Sequence, residues 1–349
     1  MAFEEDLNKH HNLQELNNEE FSAVDPKSLN DWSEYTMHTS TMKAIQVHQY
    51  GGPETLQFEQ EVHMPQPSAG EVLVRIHYAG AIPLDWKIRN GWLQNVFVKK
   101  LPYTPGTAMS GIVESVGEGV DTFQPGDRVF GNVNGSYAEY GMAPAQDLVH
   151  MPDDLSFEDA ATIKGGAESA WKVLFTEGEL EAGQTVLIHA AAGGVGQFAV
   201  QLAKWKGAHV IATASGANVD FVASLGADQV IDYKTALFEE LVSHVDLVVD
   251  AVGGEIEDRS WGVLKPGGRL VSLTQLPSAE KAKQYGVTAK FNSKLPTSED
   301  LYTVAQLIAN GSLRSEIDSI FTLSEANQAH AKSESRHGRG RILLDVRSV

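Results

Sequence analysis

From residue 184 onward, short apolar runs alternate with amphipathic stretches. "TVLIHAA", "HVIATAS", "QVIDY", "VDLVVDAV" and "GRLVSL" read as strands covered on both faces, since charged residues are kept to their ends. Between most of them, "GQFAVQLAKWKG", "NVDFVASLG" and "EIEDRSWGVL" carry helical periodicity. Strand–helix alternation of this kind predicts a doubly wound parallel sheet. Residues 42–150 have another rhythm. "MKAIQVHQY", "EVLVRIHYAG", "SGIVESVG", "DRVFGNV" and "GSYAEYGMA" are short strand candidates, punctuated by Gly-Gly-Pro, Pro-x-Pro-x-x-Gly and Pro-Gly-Asp. They predict a small barrel-like or partly open β domain. Further on, "SEDLYTVAQLIANGSL" predicts an amphipathic helix capped by Ser298, and "GRILLDV" a final strand.

The stretch "AATIKGGAESAWKVL" sits between the two patterns and fits neither cleanly. Ala160, Ile163, Ala167, Ala170, Trp171 and Leu174 fall on one helical face. Lys164 lies inside that apolar stripe, Glu168 lies on its flank, and Gly165 and Gly166 interrupt it. Spaced i, i+4, the Lys and Glu either satisfy each other at a helix start or turn into a site.

Composition narrows the function classes. The 349 residues suggest two domains, and 42% hydrophobic against 21% charged content suits a packed core. The chain has no cysteine, so disulfides, thiolate metal sites and cysteine nucleophiles are excluded. A formal net charge of −19 argues against nucleic acid and anionic membranes as partners. No apolar run is long enough to cross a bilayer and no secretory signal is visible, so a cytoplasmic location is expected. Residues 1–41 hold nine acidic residues and two lysines, with Asn12 and Asp25 as candidate helix caps. This acidic extension reads either as solvated or as an arm packed on the body or on a second subunit.

The most informative stretch is "TVLIHAAAGGVGQFAVQLAKWKGAHVIATAS". A strand runs into Ala191, Ala192, Gly193, Gly194, Val195 and Gly196, then a helix, then a second strand. That is the setting a dinucleotide fingerprint requires: small residues admit a pyrophosphate, and the helix N-terminus offers free N–H groups. Ala191 takes the place of the first glycine. An NAD site places Asp or Glu at the end of the second strand, whereas this chain has Thr213, Ala214 and Ser215. The missing carboxylate favours NADPH, with Ser215, Asn218 and Tyr233 to hold the 2′-phosphate and Lys234 in support. Asp220 reads as a first-turn helix residue.

With these motifs in place, the chain resembles the zinc-independent quinone oxidoreductase and enoyl reductase branch of the medium-chain dehydrogenase/reductases. The resemblance covers residues 42–349 and rests on "QYGGPETL", "PGTAMSGIVESVGEGV", "PGDRVFG", "AAAGGVG", "GADQVIDY", "DAVGG" and "LKPGGRLVS", in that order. It implies an α/β protein with a GroES-like catalytic domain from residues 42–159 and 298–349. A Rossmann-type cofactor domain at 160–297 would be inserted between these parts, and the common state would be a homodimer. It also implies that Ala192, Gly193, Gly194, Val195, Gly196, Val252 and Ser169 line the NADPH site. Thr107-Ala108 stand where zinc-dependent relatives carry His-Glu, which together with the missing cysteine implies no catalytic zinc.

The reaction implied is hydride transfer to a conjugated C=C of an enone, quinone or polyene carbonyl. Two departures bear on it. Relatives carry Asn-Pro where this chain has Ile82-Pro83, which makes the expected pocket of Ile82, Trp86 and Trp92 more apolar. In the stretch beside the nicotinamide, Lys164 replaces Pro, Glu168 replaces an apolar residue, and Ser169 replaces Thr. Lys164, Glu168 and Tyr50 are the catalytic candidates; Tyr78 and Tyr103 are weaker donors with a structural reading beside them. His189 reads as a packed core residue. Arg336, His337, Arg339 and Arg341 read either as a solvated basic run or as help for cofactor phosphates. Beside simple reduction stand two alternatives: a reductive cyclase of a polyene, similar to tetramate-polyene cyclases, and a non-enzymatic NADPH-binding protein of the crystallin kind.

Overall fold

The parallel sheet owes its position to residues that alternate between two apolar layers. The computed structural model describes residues 40–348, so the expectations for the acidic extension lie outside the described residues apart from its last two positions. Strands β1 (Thr41–Val47) and β2 (Leu56–His63) form an antiparallel pair. Then come β3 (Glu71–Ala81), β4 (Ala108–Val116), β5 (Arg128–Asn132), β6 (Tyr140–Pro144) and β7 (Leu148–His150). The nucleotide-type sheet follows with β8 (Thr185–Ile188), β9 (His209–Ala214), β10 (Gln229–Asp232), β11 (Val245–Asp250), β12 (Leu264–Ser272) and β13 (Thr288–Phe291). Finally β14 (Ile317–Thr322) and β15 (Arg341–Asp345) return to the first region.

The second sheet has the order β10-β9-β8-β11-β12-β13, and every pairing in it is parallel. Its strand order reverses between β8 and β11, where ligands bind at the carboxyl ends of the strands. Register explains its stability. Val186, Val210 and Leu247 lie side by side and join one core with Phe198, Leu202 and Val222. Leu187, Ile211, Val248 and Leu270 point to the opposite layer and meet Phe238 and Trp261. Each fully buried aliphatic side chain of this kind contributes about 1.5–3 kcal/mol relative to exposure.

The first sheet has the order β14-β15-β3-β4-β5-β7, with β6 on β3. Here β15 runs antiparallel to β3, pairing Ile342 with Ala81 and Leu344 with Ala79. The end of the described chain is therefore built into the middle of the first sheet. The amphipathic helix predicted near residue 298 spans Ser298–Ala309, but its cap is Thr297. Thr297 accepts from the Asp300 N–H, and Asp300 accepts from the Thr297 N–H, a reciprocal arrangement that a cap at Ser298 would forfeit.

A directed chain of buried polar groups holds the helix Pro83–Arg89 in place. Arg89 is fully buried and donates to Gly51 O, Asn90 Oδ1 and His330 Nδ1; it also pairs with Glu334. With Nδ1 taken as acceptor, neutral His330 carries its proton on Nε2 and donates to Tyr137 Oη at 2.9 Å. Burial, reinforced by Arg89, pushes the His330 pKa down to about 3, in keeping with the neutral ring. Tyr137 in turn donates to Asp85 Oδ2 at 3.1 Å, and the Ile82 N–H donates to the same oxygen at 3.0 Å. Burial pushes the Asp85 carboxyl up to about 7, against these hydrogen bonds and the charges of Arg341 and Lys99.

A carboxyl raised in the folded state binds its proton more tightly there than in the unfolded chain. Its stabilising share is complete below the unfolded value of about 4 and is lost as pH rises towards 7. Asn at this position keeps both accepted hydrogen bonds without the charge. The Tm of Asp85→Asn relative to wild type is therefore expected to rise between pH 5 and pH 8 in thermal scans; a constant difference across that range would contradict the buried-charge account.

Candidate active site

The turn after β8 is built by close backbone approach. The Ala191 N–H bonds to Thr213 O at 3.0 Å and the Gly193 N–H to Ala190 O at 3.0 Å, while Ala190 takes a left-handed φ of 53°. The helix Gly196–Trp205 then starts against this turn. A Cβ on Gly196 would stand 2.4 Å from Ala190 O, so only glycine lets helix and turn meet this closely. Among the described residues, the Gly194 and Val195 N–H groups find no acceptor. Free donors at a helix start, beside glycines that carry no side chain of their own, suit a pyrophosphate. Ala192, Gly193, Gly194, Val195 and Gly196 thus lie together as one cradle.

The stretch 160–174 is not the continuous helix that its periodicity predicts. Helix Phe157–Thr162 passes into a widened turn in which Lys164 has ψ 132° and Gly165 has φ 69°. The helix resumes at Glu168. The cause lies far along the chain. Arg341 Nη2 donates to Lys164 O at 2.9 Å and its Nη1 to Gly165 O at 3.3 Å, so these carbonyls bond a guanidinium rather than helical N–H groups. Arg341 is 3% exposed, and its Nε has no partner. Among the described residues no carboxylate pairs with it. Burial lowers its pKa to about 10, which leaves it charged at neutral pH.

Arg341 also meets the cradle. A Cβ on Gly194 would lie 3.0 Å from Arg341 Cδ, and one on Gly166 would lie 3.2 Å from the same atom. One residue earlier, the Gly340 N–H bonds to Ala192 O at 3.0 Å. On the other side of the kink, a Cβ on Gly165 would meet Ile82 Cγ2 at 3.0 Å. The kink, the apolar Ile82 and the dinucleotide turn are therefore joined around one buried cation.

Beside it, Lys164 Nζ donates to Glu168 Oε1 at 2.6 Å, and both side chains are buried. A buried ion pair recovers little stability after desolvation, so its presence is not explained by stability alone. Lys172, one turn beyond Glu168, is buried as well, and burial lowers its pKa against the pull of Glu168. Ser169 is half-buried next to the pair.

The other residues singled out in the sequence divide. Ile82 and Trp86 are buried, with Trp86 Nε1 unpartnered, whereas Trp92 is 64% exposed and packs edge-on against Trp86. Tyr50 is half-buried; a Cβ on Gly91, just past the helix Pro83–Arg89, would lie 3.4 Å from its Cβ. Tyr103 keeps a buried, unpartnered hydroxyl whose pKa burial raises. Tyr78 donates to Glu158 Oε1 at 2.6 Å under the Arg347 guanidinium, a structural role. His189 fits the core reading: Nδ1 lies 3.0 Å from Thr213 Oγ1, Nε2 lies 2.9 Å from Ser260 Oγ, and burial pushes its pKa down to about 4.

Ser215, Tyr233 and Val252 sit just past the ends of β9, β10 and β11, with Tyr233 and Val252 about half exposed. Asn218 joins them through its Nδ2, 3.3 Å from Ser215 Oγ, and Asp220 lies in a first helical turn. The basic run near the C-terminus separates. Arg336 and His337 are exposed, Arg339 reaches Asn218 Oδ1, and Arg341 is buried at the kink. Sequence reasoning grouped these four and missed the place of the last; the glycines on both sides of Arg339 were its one visible signal. Among the described residues no group of three or more His, Asp or Glu is arranged to hold a metal, and Ala108 is buried at the start of β4.

Comparison with known proteins agrees with the fold. Residues 68–153 match the family model for an alcohol dehydrogenase GroES-like domain, and residues 225–344 match that for a zinc-binding dehydrogenase. A chloroplastic quinone oxidoreductase of Triphysaria versicolor is 35% identical over 87% of this chain and 98% of its own. The quinone oxidoreductase of Rattus norvegicus is 31% identical, covering 87% and 97%. Among solved structures, the quinone oxidoreductase from Coxiella burnetii superposes with a TM-score of 0.80 at 36% identity, covering 88% of this chain and 100% of that one. A mycobacterial protein solved in complex with NADPH gives 0.77 at 29%, covering 88% and 100%. The protein belongs to the zinc-independent quinone oxidoreductase branch of the medium-chain dehydrogenase/reductases and is an NAD(P)H-dependent oxidoreductase.

Proposed function

We propose that the protein is an NADPH-dependent reductase of a conjugated carbonyl acceptor, an enone or quinone. The observation that carries this reading is the buried Lys164–Glu168 pair at a kink pinned between the cradle and Ile82. NADPH, when held by these residues, would supply the hydride for the acceptor's electrophilic carbon. The negative charge then develops on the acceptor's oxygen. Lys164 Nζ carries the donors that would meet it, and Glu168 orients them through Oε1. A proton completes the reduction, leaving the saturated ketone or the hydroquinone and oxidised cofactor. Gly194, Val195 and Gly196 would hold the pyrophosphate, and Ser215, Asn218 and Tyr233 the 2′-phosphate on the adenosine ribose. Tyr50 stands as a second donor near the helix Pro83–Arg89.

One observation favours a bulkier acceptor. Exposed apolar residues follow one another at Trp92, Val96, Val98 and Leu101, with Trp92 packed on buried Trp86, and Ile82 adds no polar side chain. Such a surface suits a lipophilic polyene, for which hydride addition followed by ring closure is the second reading. Product analysis separates the two, since cyclisation yields an isomer with one more ring than simple reduction.

The protein would act as a homodimer through β13. This strand pairs only with β12 among the described residues and leaves Phe291 exposed at the sheet edge. Unpaired edges invite a second copy.

Two outcomes follow. Lys164→Ala leaves a buried, unpaired Glu168, which costs about 3–5 kcal/mol. The double variant Lys164→Met with Glu168→Leu should recover the Tm, yet kcat with a simple quinone or enone should fall by about 100-fold while the NADPH Kd stays within twofold. Full turnover in that folded double variant would reduce the pair to a structural device. For the assembly, sedimentation should give a dimer mass for wild type and a monomer for Phe291→Asp; a wild-type monomer at micromolar concentration would end the β13 reading.

A further inference from the structure

The cofactor reading leaves one gap. Ser215 and Asn218 are neutral, and NADPH brings a 2′-phosphate with close to two negative charges to their neighbourhood. No lysine or arginine follows β9 in its own turn. The structure brings one from the other sheet. Arg339 lies two residues before β15 and donates to Asn218 Oδ1 through Nε at 3.3 Å and Nη2 at 3.2 Å. Its guanidinium is stacked 4.5 Å from the Phe221 ring centre, in the helix that follows β9.

The setting keeps that guanidinium available. The Arg339 N–H is held on Asp318 Oδ1 at 3.0 Å, and Asp318 is neutralised by Lys332. Among the described residues the Arg339 side chain pairs with no carboxylate. Asp232, which would stand 2.8 Å from a Cβ on Gly216, instead accepts the Lys234 N–H. Arg339, Asn218, Gly338, Glu316, Ile317 and Asp318 line an open cavity of about 440 Å³. Because Asn218 Nδ2 donates to Ser215 Oγ, the groups Ser215, Asn218 and Arg339 form one hydrogen-bonded row.

We infer that Arg339 is the residue that recognises the 2′-phosphate, reaching across from the C-terminal segment to the end of β9. The inference rests on the NADPH reading above and goes beyond it by naming a determinant outside the β8–β9 unit. A planar guanidinium offers two parallel donors to a phosphate, and Phe221 fixes its plane beforehand. Arg339 can exchange Asn218 Oδ1, a neutral acceptor, for the phosphate oxygens without breaking an ion pair. The same segment bonds the cradle turn one residue later, through Gly340 to Ala192 O, so phosphate and pyrophosphate would draw on a single strand of chain.

Fragment binding tests this without turnover. Calorimetric titration of the full chain with 2′,5′-ADP and with 5′-AMP isolates the phosphate. Wild type is expected to prefer 2′,5′-ADP by tenfold or more. In Arg339→Gln the 2′,5′-ADP affinity should drop about 10- to 100-fold, with 5′-AMP within twofold and Tm unchanged. Arg339→Lys, which keeps charge but loses the fork, should fall between. An unchanged ratio in Arg339→Gln overturns the inference while leaving the NADPH reading standing, as does a preference abolished by Lys234→Gln alone. A wild type that does not distinguish the two fragments overturns both.

Discussion

A single buried guanidinium organises the centre of this molecule. Arg341 donates to two main-chain carbonyls, Lys164 O and Gly165 O, and by doing so opens a helix that would otherwise close on itself. An unpaired charge at 3% exposure is expensive to bury, and carbonyl dipoles alone compensate only part of the loss. The return is geometric. Ile82, the Lys164–Glu168 pair and the Gly194 turn come from separate parts of the chain, and each is within reach of this cation or of the kink that it holds. Shifting it would move the kink beside Ile82 and the glycine turn together.

The electrostatics around it fall into two kinds. One is the rigid, fully satisfied chain from Arg89 through His330 and Tyr137 to Asp85, which anchors the helix behind Ile82. Beyond the Arg89–Glu334 ion pair, its neutral histidine and raised carboxyl link the chain through hydrogen bonds. The other is the pair of Lys164 with Glu168, where full charges meet under cover. Buried polar groups that are all partnered specify one arrangement, whereas a buried ion pair keeps a strong local field ready for a reacting group.

What was legible in the amino-acid pattern follows from how far each interaction reaches. Val186-Leu187-Ile188 and Val245–Val249 read as buried strands because both sheet faces need apolar cover, and that need is local. The cradle was legible since Gly193, Gly194 and Gly196 act through their own backbone. The kink was not: a helical wheel counts Lys164 and Gly165 as helix, and the group that unwinds them stands 176 residues away from Gly165. For the same reason Arg339 stayed divided in the sequence between a solvated run and help for cofactor phosphates, as its partner Asn218 is 121 residues distant. Trp92 illustrates a third limit, since apolar character beside Trp86 did not reveal that one ring is buried and the other exposed. The misplaced cap at Ser298 was a one-residue choice between two hydroxyls, settled by which of them Asp300 can answer.

The return of β15 to the first sheet also has a meaning for biogenesis. A ribosome releases β8, the glycine turn and β9 well before residues 340 and 341, which tie that turn to the kink. A nascent chain can pair the parallel strands early, yet its nucleotide turn stays unbraced until the last strand has emerged and inserted beside β3. A polypeptide stopped before residue 340 would therefore own the fingerprint without the backbone bond from Gly340 to Ala192 O that braces it.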